Sequence, residues 1–467
     1  MKNLKKSEKV LSNIRLLEAW IECRMAYQEL PGMSVGIVYD QELIWAKGFG
    51  FSNREEKKPA TTKTLYRIAS ITKLFTSTAI MQLRDQGKLH LDDPVKKHLP
   101  WFKIKSSHTD APEITIRHLL THTSGLPREA AFPYWNDFQF PTREQIIEKL
   151  PVQEAAYGPE AIWKYSNLAL TLAGEIVAAV SGEPYPDYIQ KHILGPLEMK
   201  STSVVLPEGQ KTKLAKGYGR RLPDGSRRLM PFTDSRGITP AANISSNVED
   251  LARFLSLQFT AGKREESRIL KKSTIREMHR VHWMQPDWKS GWGLGFGIRR
   301  SEDRVILGHG GSLAGYRSQV SFCPEEKFGA VVLTNASDGE PNVYMDQIFH
   351  LVAPAVKESV KEPSGKEKKP DASMKKYMGR YRNIWGDSQV LWYEGELVMI
   401  NPRADDPTES MAKLVSLGEN TFRMEGEAGY MCLGELVQFE MSSGGKVRRV
   451  KEGETYIYPV ESWYDRI

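Results

Sequence analysis

Residues 70–87 read SITKLFTSTAIMQLRDQG. Ser70 and Lys73 stand three apart, and side chains at i and i+3 share one face of a helix. The apolar residues Ile71, Leu74, Phe75, Ala79 and Leu83 form a helical stripe, and Gly87 supplies a stop. Ser70 is therefore expected at a helix N-terminus, where unpaired N–H groups and the positive end of the dipole favour developing negative charge. A lysine in contact with that hydroxyl can take its proton. The alternative is an N-cap serine followed by a solvated lysine.

Two later motifs decide between these readings by their order and spacing. Tyr165-Ser166-Asn167 precedes the apolar run Leu168–Val180, and His309-Gly310-Gly311 lies between two short apolar runs. Together the three resemble the serine β-lactamase and penicillin-binding-protein superfamily, in which S-x-x-K, Ser/Tyr-x-Asn and K-T-G-type motifs line one cleft. The stretches Pro31–Gly36, Leu119–Leu126, Ser245–Phe254 and Gly293–Gly297 are similar to the class C branch, which includes esterases and D-peptidases. The resemblance covers roughly residues 10–350. It implies an α+β fold, with an antiparallel sheet flanked by helices, an all-helical lobe and the cleft between them.

The chain has 467 residues, enough for two or three domains. Its 65 basic and 58 acidic residues leave a net charge of +7. The obvious basic clusters, Lys2–Lys9 and Lys366–Lys369, fall in a tail and a linker, so no nucleic-acid partner is expected. Cys23, Cys323 and Cys432 are odd in number and far apart, which reads as free thiols in a reducing compartment. The basic N-terminus lacks a signal-peptide apolar core, and no apolar run is long enough to span a bilayer. A cytoplasmic protein with no membrane partner is expected, acting on a small-molecule or peptide substrate. A homo-oligomer is compatible with the sequence.

Residues 13–30 read as a helix with Leu16, Leu17, Trp20, Ile21 and Met25 on one face. Met33–Val38 and Leu43–Gly48 read as a hairpin, followed by a mostly helical region to about Leu197 and a helix in Asn243–Gln258 that Ser245 or Ser246 could cap. Strands are expected at Gly293–Arg299, Arg304–Leu307, Tyr316–Phe322 and Phe328–Leu333, and a helix near Val343. The domain limits read as 1–356 for the hydrolase-like domain, 357–373 for a linker and 374–467 for a small β domain. This tail has many short strand-like runs, with Glu394-Gly395 and Gly444-Gly445 as hairpin turns, which suggests a small barrel or sandwich. It looks like the lipocalin-like domain of some family members, including compartment-forming peptidases.

The resemblance implies a serine hydrolase acting through an acyl-enzyme on Ser70, with Lys73 or Tyr165 moving the proton. Asn167 would bind a substrate amide or position Lys73; its neighbour Ser166, or Asn167 itself, could equally cap a helix. By analogy, the N–H groups of Ser70 and Ser312 form an oxyanion hole, and Gly310 and Gly311 let backbone approach substrate. His309 stands where many lactam-binding relatives carry lysine. A neutral imidazole offers no fixed charge to a substrate carboxylate, which favours small esters, amides or D-amino-acid peptides over β-lactams. By the same analogy His309 could act in catalysis by tuning Tyr165 or Lys73. A β-lactamase, a transacylase or an acylated sensor would use the same site. No cofactor is implied. His118 and His122 are spaced for a metal, but the HExxH glutamate is missing (Leu119 stands there) and no third ligand is evident. Trp283, Trp288 and Trp292 could line the cleft or pack in the core.

Overall fold

The computed structural model describes residues 4–260, 269–301, 304–361, 369–426 and 432–463. The chain divides into two compact units, one of Pro31–Met345 and one of Met1–Leu30 with Asp346–Ile467.

In the first unit β1 (Gly32–Tyr39) and β2 (Glu42–Asn53) form the expected hairpin, and β3 (Lys58–Pro59) extends it. A two-stranded ribbon pairs β4 (Tyr66–Arg67) with β5 (Ser245–Ser246). The C-terminal strands are β6 (Trp283–Met284), β7 (Ser290–Trp292), β8 (Gly297–Ser301), β9 (Arg304–Leu313), β10 (Tyr316–Cys323) and β11 (Phe328–Thr334). They join the first hairpin in one nine-stranded sheet ordered β3-β2-β1-β11-β10-β9-β8-β7-β6. The β1–β11 pairing is antiparallel, from Met33 opposite Thr334 to Tyr39 opposite Phe328. The two ends of this unit thus close one sheet. Helices Thr72–Asp85, Asn167–Ser181 and Val248–Gln258 bury Leu74, Phe75, Leu170, Leu172, Phe254 and Leu255 in its shared core.

Two local expectations change. Ser245 and Ser246 pair as a strand, and the cap of the following helix is Asn247, whose side chain accepts from Asp250 N. The expected Gly293–Arg299 strand starts only at Gly297. Gly295 turns the chain at φ +89°, a conformation that glycine adopts without strain, and donates its N–H to Leu120 O at 3.1 Å.

The second unit holds a closed barrel of β12 (Gly379–Asn383), β13 (Gly386–Tyr393), β14 (Glu396–Ile400), β15 (Ala412–Gly418), β16 (Thr421–Glu425), β17 (Leu436–Met441), β18 (Val447–Glu452) and β19 (Thr455–Pro459). Glu394 and Gly395 both take positive φ, as a tight hairpin turn requires. The interior is packed with Tyr377, Tyr381, Met399, Phe422, Met424 and Phe439 among others.

The N-terminal helix runs Glu8–Gln28, capped by Ser7, and starts earlier than the apolar stripe indicated. It belongs to the barrel's unit: Trp20 is 1% exposed and donates to Ala404 O at 2.9 Å, and Arg15 Nε donates to Trp392 O at 3.1 Å. Helix Pro341–Lys361 carries through the opening residues of the expected linker; residues 362–368, with most of the expected 366–369 basic cluster, lie outside the described residues. The expected 1–356 segment therefore contributes to both units. All three cysteines are free thiols. Among the described residues, no helix is long and apolar enough to cross a membrane.

Trp20→Ala removes a fully buried ring and its hydrogen bond. It is expected to destabilise the barrel unit by about 3–5 kcal/mol, measured by thermal unfolding followed by circular dichroism; an unchanged unfolding curve would contradict this packing.

Candidate active site

Immediately before Ser70 the chain passes through Ala69 at φ +49°, the left-handed region that a Cβ disfavours. Such a residue costs on the order of 1–3 kcal/mol and persists only where its surroundings impose it. Here Ile68 is held on both sides: its N–H donates to Ile244 O at 3.0 Å, and its carbonyl accepts from Ile71 N at 3.2 Å and Ser318 Oγ at 2.9 Å. Ser70 then lies in a short 3₁₀ turn, Ala69–Ile71, that leads directly into the Thr72–Asp85 helix.

That geometry brings Lys73 onto Ser70. Lys73 Nζ lies 2.9 Å from Ser70 Oγ, 2.7 Å from Asn167 Oδ1 and 2.9 Å from Ala241 O. An ammonium has three donors and meets three acceptors here. A neutral amine keeps two, for Asn167 and Ala241, and turns its lone pair to a hydroxyl that can donate in return. The site therefore satisfies both protonation states. Burial pushes the Lys73 amine well below its ordinary value; Glu129 opposes the shift and Arg128 reinforces it.

Asn167 is the first residue of its helix, and Ser166 is the cap, accepting from Ala169 N at 3.0 Å. The capping and Lys73-holding readings are thus both realised, one on each residue. Asn167 is itself oriented by Glu129, whose Oε1 accepts from its Nδ2 at 2.8 Å while Tyr134 donates to Oε2. Ala241 lies in the short helix Thr239–Ala242, and the residue after that helix, Asn243, is held by Arg67, a buried guanidinium that donates to Asn243 O, Asn243 Oδ1 and Thr233 O at 2.8, 2.6 and 2.9 Å.

Tyr165 completes the group. Burial raises its phenol above the ordinary value, while a hydrogen bond with Ser70 and the charge of Arg128 pull the other way. Its ring lies 5.0 Å from Lys73 Nζ and 5.1 Å from the Arg128 guanidinium, within cation–π range. His122, 4.3 Å from the Tyr165 ring, accepts from Ser166 N through Nδ1. His118 caps its own helix with Thr115. Trp292 packs 5.1 Å from both Trp163 and His122, behind Tyr165, whereas Trp288 is exposed.

The third motif closes the cleft from β9. Opposite Gly311 an added Cβ would stand 2.1 Å from Ile68 O, so only glycine lets this strand lie against the Ser70 turn. Strand β8 pairs with β9 only as far as Gly308, so residues 309–313 have a strand partner in β10 alone. His309 is 7% exposed, and its Nδ1 lies 2.6 Å from Gly310 O, its own neighbour. That bond makes Nδ1 the protonated nitrogen and leaves Nε2 as an acceptor, buried and without a partner among the described residues. Burial first, then the charge of Lys73, lowers its pKa to about 3, so the ring is neutral near pH 7.

Ser70, Tyr165, Asn167, His309, Gly310, Gly311 and Ser312 all line one cleft of about 730 Å³; Lys73 lies beneath its floor. Sequence reading missed Glu129, Arg128, Ala241 and Trp163. The first two directly follow the Leu119–Leu126 stretch and carry the only sequence hint, a charge pair beside a motif. Ala241 acts through a backbone carbonyl, which no side-chain pattern reveals.

Comparison with known proteins gives the family of the chain. The Beta-lactamase family model matches residues 17–353, and the chain belongs to that family. Beta-lactamase-like protein 2 of Dictyostelium discoideum is 29% identical over 341 residues, 72% of this chain and 61% of that protein. The chain thus spans about three fifths of the length of the curated relatives it matches. The octameric penicillin-binding protein homologue from Pyrococcus abyssi is similar at a TM-score of 0.64 and 28% identity, covering 95% of this chain and 99% of that one. A D-stereospecific amidohydrolase from Streptomyces sp. shares the fold at a TM-score of 0.59 and 24% identity, over 72% of this chain and 97% of that one.

Glu129 raises the Lys73 pKa, so Glu129→Gln should lower it and make the neutral amine available at lower pH. The rate at which a small fluorophosphonate labels Ser70 should rise with pH through that pKa, and in the variant this limb should move to lower pH. A limb that stays in place or moves up would contradict the assigned electrostatics.

Proposed function

We propose that the protein is a serine hydrolase that acylates Ser70 and cleaves small esters, amides or D-amino-acid peptides. The observation that carries this reading is the buried Lys73 amine, 2.9 Å from the Ser70 hydroxyl and held on its other sides by Asn167 and Ala241. Lys73 takes the proton as Ser70 attacks the acyl carbon. Tyr165 passes a proton to the leaving group and then helps to activate water for deacylation. The N–H groups of Ser70 and Ser312 bind the oxyanion, and such donors contribute a few kcal/mol each to the transition state.

The neutral His309 supports esters, amides and peptides ahead of β-lactams, because the motif brings no permanent cation to a lactam carboxylate. The fold shared with a D-stereospecific amidohydrolase is compatible with the peptide branch of this reading. Similarity to an octameric homologue over 95% of the chain supports assembly of several copies.

Intact-mass analysis after exposure to nitrophenyl esters, D- and L-alanine anilides and a chromogenic cephalosporin tests the proposal. A transient acyl mass on Ser70 with many turnovers in water is expected. Ser70→Ala should abolish both, and Lys73→Ala and Tyr165→Phe should each cut turnover by at least ~10². Normal turnover by folded Ser70→Ala would overturn the assignment. Product that requires an added acceptor would mark a transacylase, and a single stoichiometric burst a sensor.

A further inference from the structure

Every strand of the barrel runs antiparallel to its neighbours, so the β12–β13 and β18–β19 turns and the loop that follows β14 all open at one end. At that mouth the chain leaves a cavity of about 560 Å³, lined by Asn383, Trp385, Ser388, Asn401, Arg403 and Glu452 among others. The mouths of β-barrels are among the places where small-molecule sites form. Folding alone does not account for the residues of the β12–β13 turn. Ile384 and Trp385 stand at its centre, closed off by the pairing of Asn383 with Gly386. Asparagine, aspartate and glycine are usual at such positions. Asn383 Oδ1 accepts from Trp385 N at 2.8 Å and from Gly386 N at 3.2 Å, which fixes the tip. Trp385 is nonetheless 80% exposed, so its ring adds little to the core. A large indole held out to solvent on a fixed turn marks a contact surface.

Around this ring lies unused hydrogen-bonding capacity. The Asn383 and Asn401 Nδ2 groups, the Ser388 hydroxyl and the Glu452 carboxyl have no partner among the described residues. The loop that carries Asn401 is itself held in place: Ala404 N donates to Asn401 O at 3.2 Å, and Ala404 O accepts from the Trp20 indole. The charges at the mouth do not favour an ionic ligand. Asp387 is engaged by Arg382, whose Nη2 donates to it at 3.0 Å. Burial, and then the charge of Glu435, raises the Glu452 carboxyl toward its neutral form. The Arg403 guanidinium stacks on Tyr27, 4.3 Å from the ring centre.

A flat apolar face beside several uncharged donors and acceptors suits a sugar. A pyranose ring presents C–H groups on one face, which pack on an indole, and hydroxyls around its edge, which pair with amides and hydroxyls. We propose that the mouth of the barrel binds a neutral saccharide, its ring on Trp385 and its hydroxyls on Asn383, Ser388 and Asn401. The inference goes beyond the serine hydrolase reading and does not depend on the chemistry at Ser70.

The test is saturation-transfer-difference NMR of the full chain with maltotriose, cellotriose and chitotriose. At least one of the three should bind with a Kd of about 1 mM or tighter. Trp385→Ala should weaken that binding about tenfold or more, as loss of a central aromatic contact does, and Asn401→Ala should weaken it as well. Both side chains are exposed, so both variants should keep the native circular dichroism spectrum. Failure of all three sugars to bind would overturn the proposal. So would binding that survives Trp385→Ala at full strength, which would put the sugar elsewhere, such as the Ser70 cleft. Loss of self-association in Trp385→Ala, with no sugar bound by the native protein, would also overturn it and make the tip a contact between copies.

Discussion

The Lys73 amine and its three oxygen neighbours are the point on which the rest of the site depends. A lysine 1% exposed is a liability unless its hydrogens are satisfied. Each acceptor comes from a different part of the chain: Ser70 from the turn before the helix, Asn167 from the start of the next long helix, and Ala241 from the short helix Thr239–Ala242. Three helical segments far apart in sequence thus converge on one nitrogen. Burial supplies the depressed basicity, and Glu129 and Arg128 trim it from opposite directions.

Backbone geometry does as much as side-chain chemistry. Ala69 is held in an unfavourable conformation by bonds to its neighbour Ile68 from Ile244, from Ser318 on β10 and from its own turn. Gly311 permits that contact by having no Cβ. His309 is locked into one tautomer by the adjacent carbonyl. The cleft is therefore rigid on the β9 side.

Much of this was legible in the residues. The three motifs were placed correctly in one cleft, because a Ser and Lys one turn apart, a tyrosine ahead of an apolar helix and a glycine pair on a strand each carry their own geometry. The β1–β2 hairpin followed from apolar alternation and its turn; the sheet with its helical lobe came with the family resemblance, and the short C-terminal strands left a barrel and a sandwich both open until the closed barrel was seen. What escaped detection depends on long-range contacts. Ser245 and Ser246 have the composition of a helix cap, but pairing with Tyr66 and Arg67 draws them into a ribbon. The helix Pro341–Lys361 extends past the point where apolar residues thin out. The N-terminal helix packs with the barrel through Trp20 and Arg15, a choice of partner that its stripe alone does not specify. Glu129 was missed because its role depends on where Asn167 points.

The barrel interior has a consequence of its own. Phe422 meets Tyr377 and Phe439 edge to face at 4.9 and 5.5 Å, those two rings lie tilted to each other at 4.7 Å, and Met399 and Met424 belong to the same cluster. These side chains form the core of the barrel among the described residues. The stability of the domain is thus tied to these few large side chains, since trimming any one of them leaves a cavity.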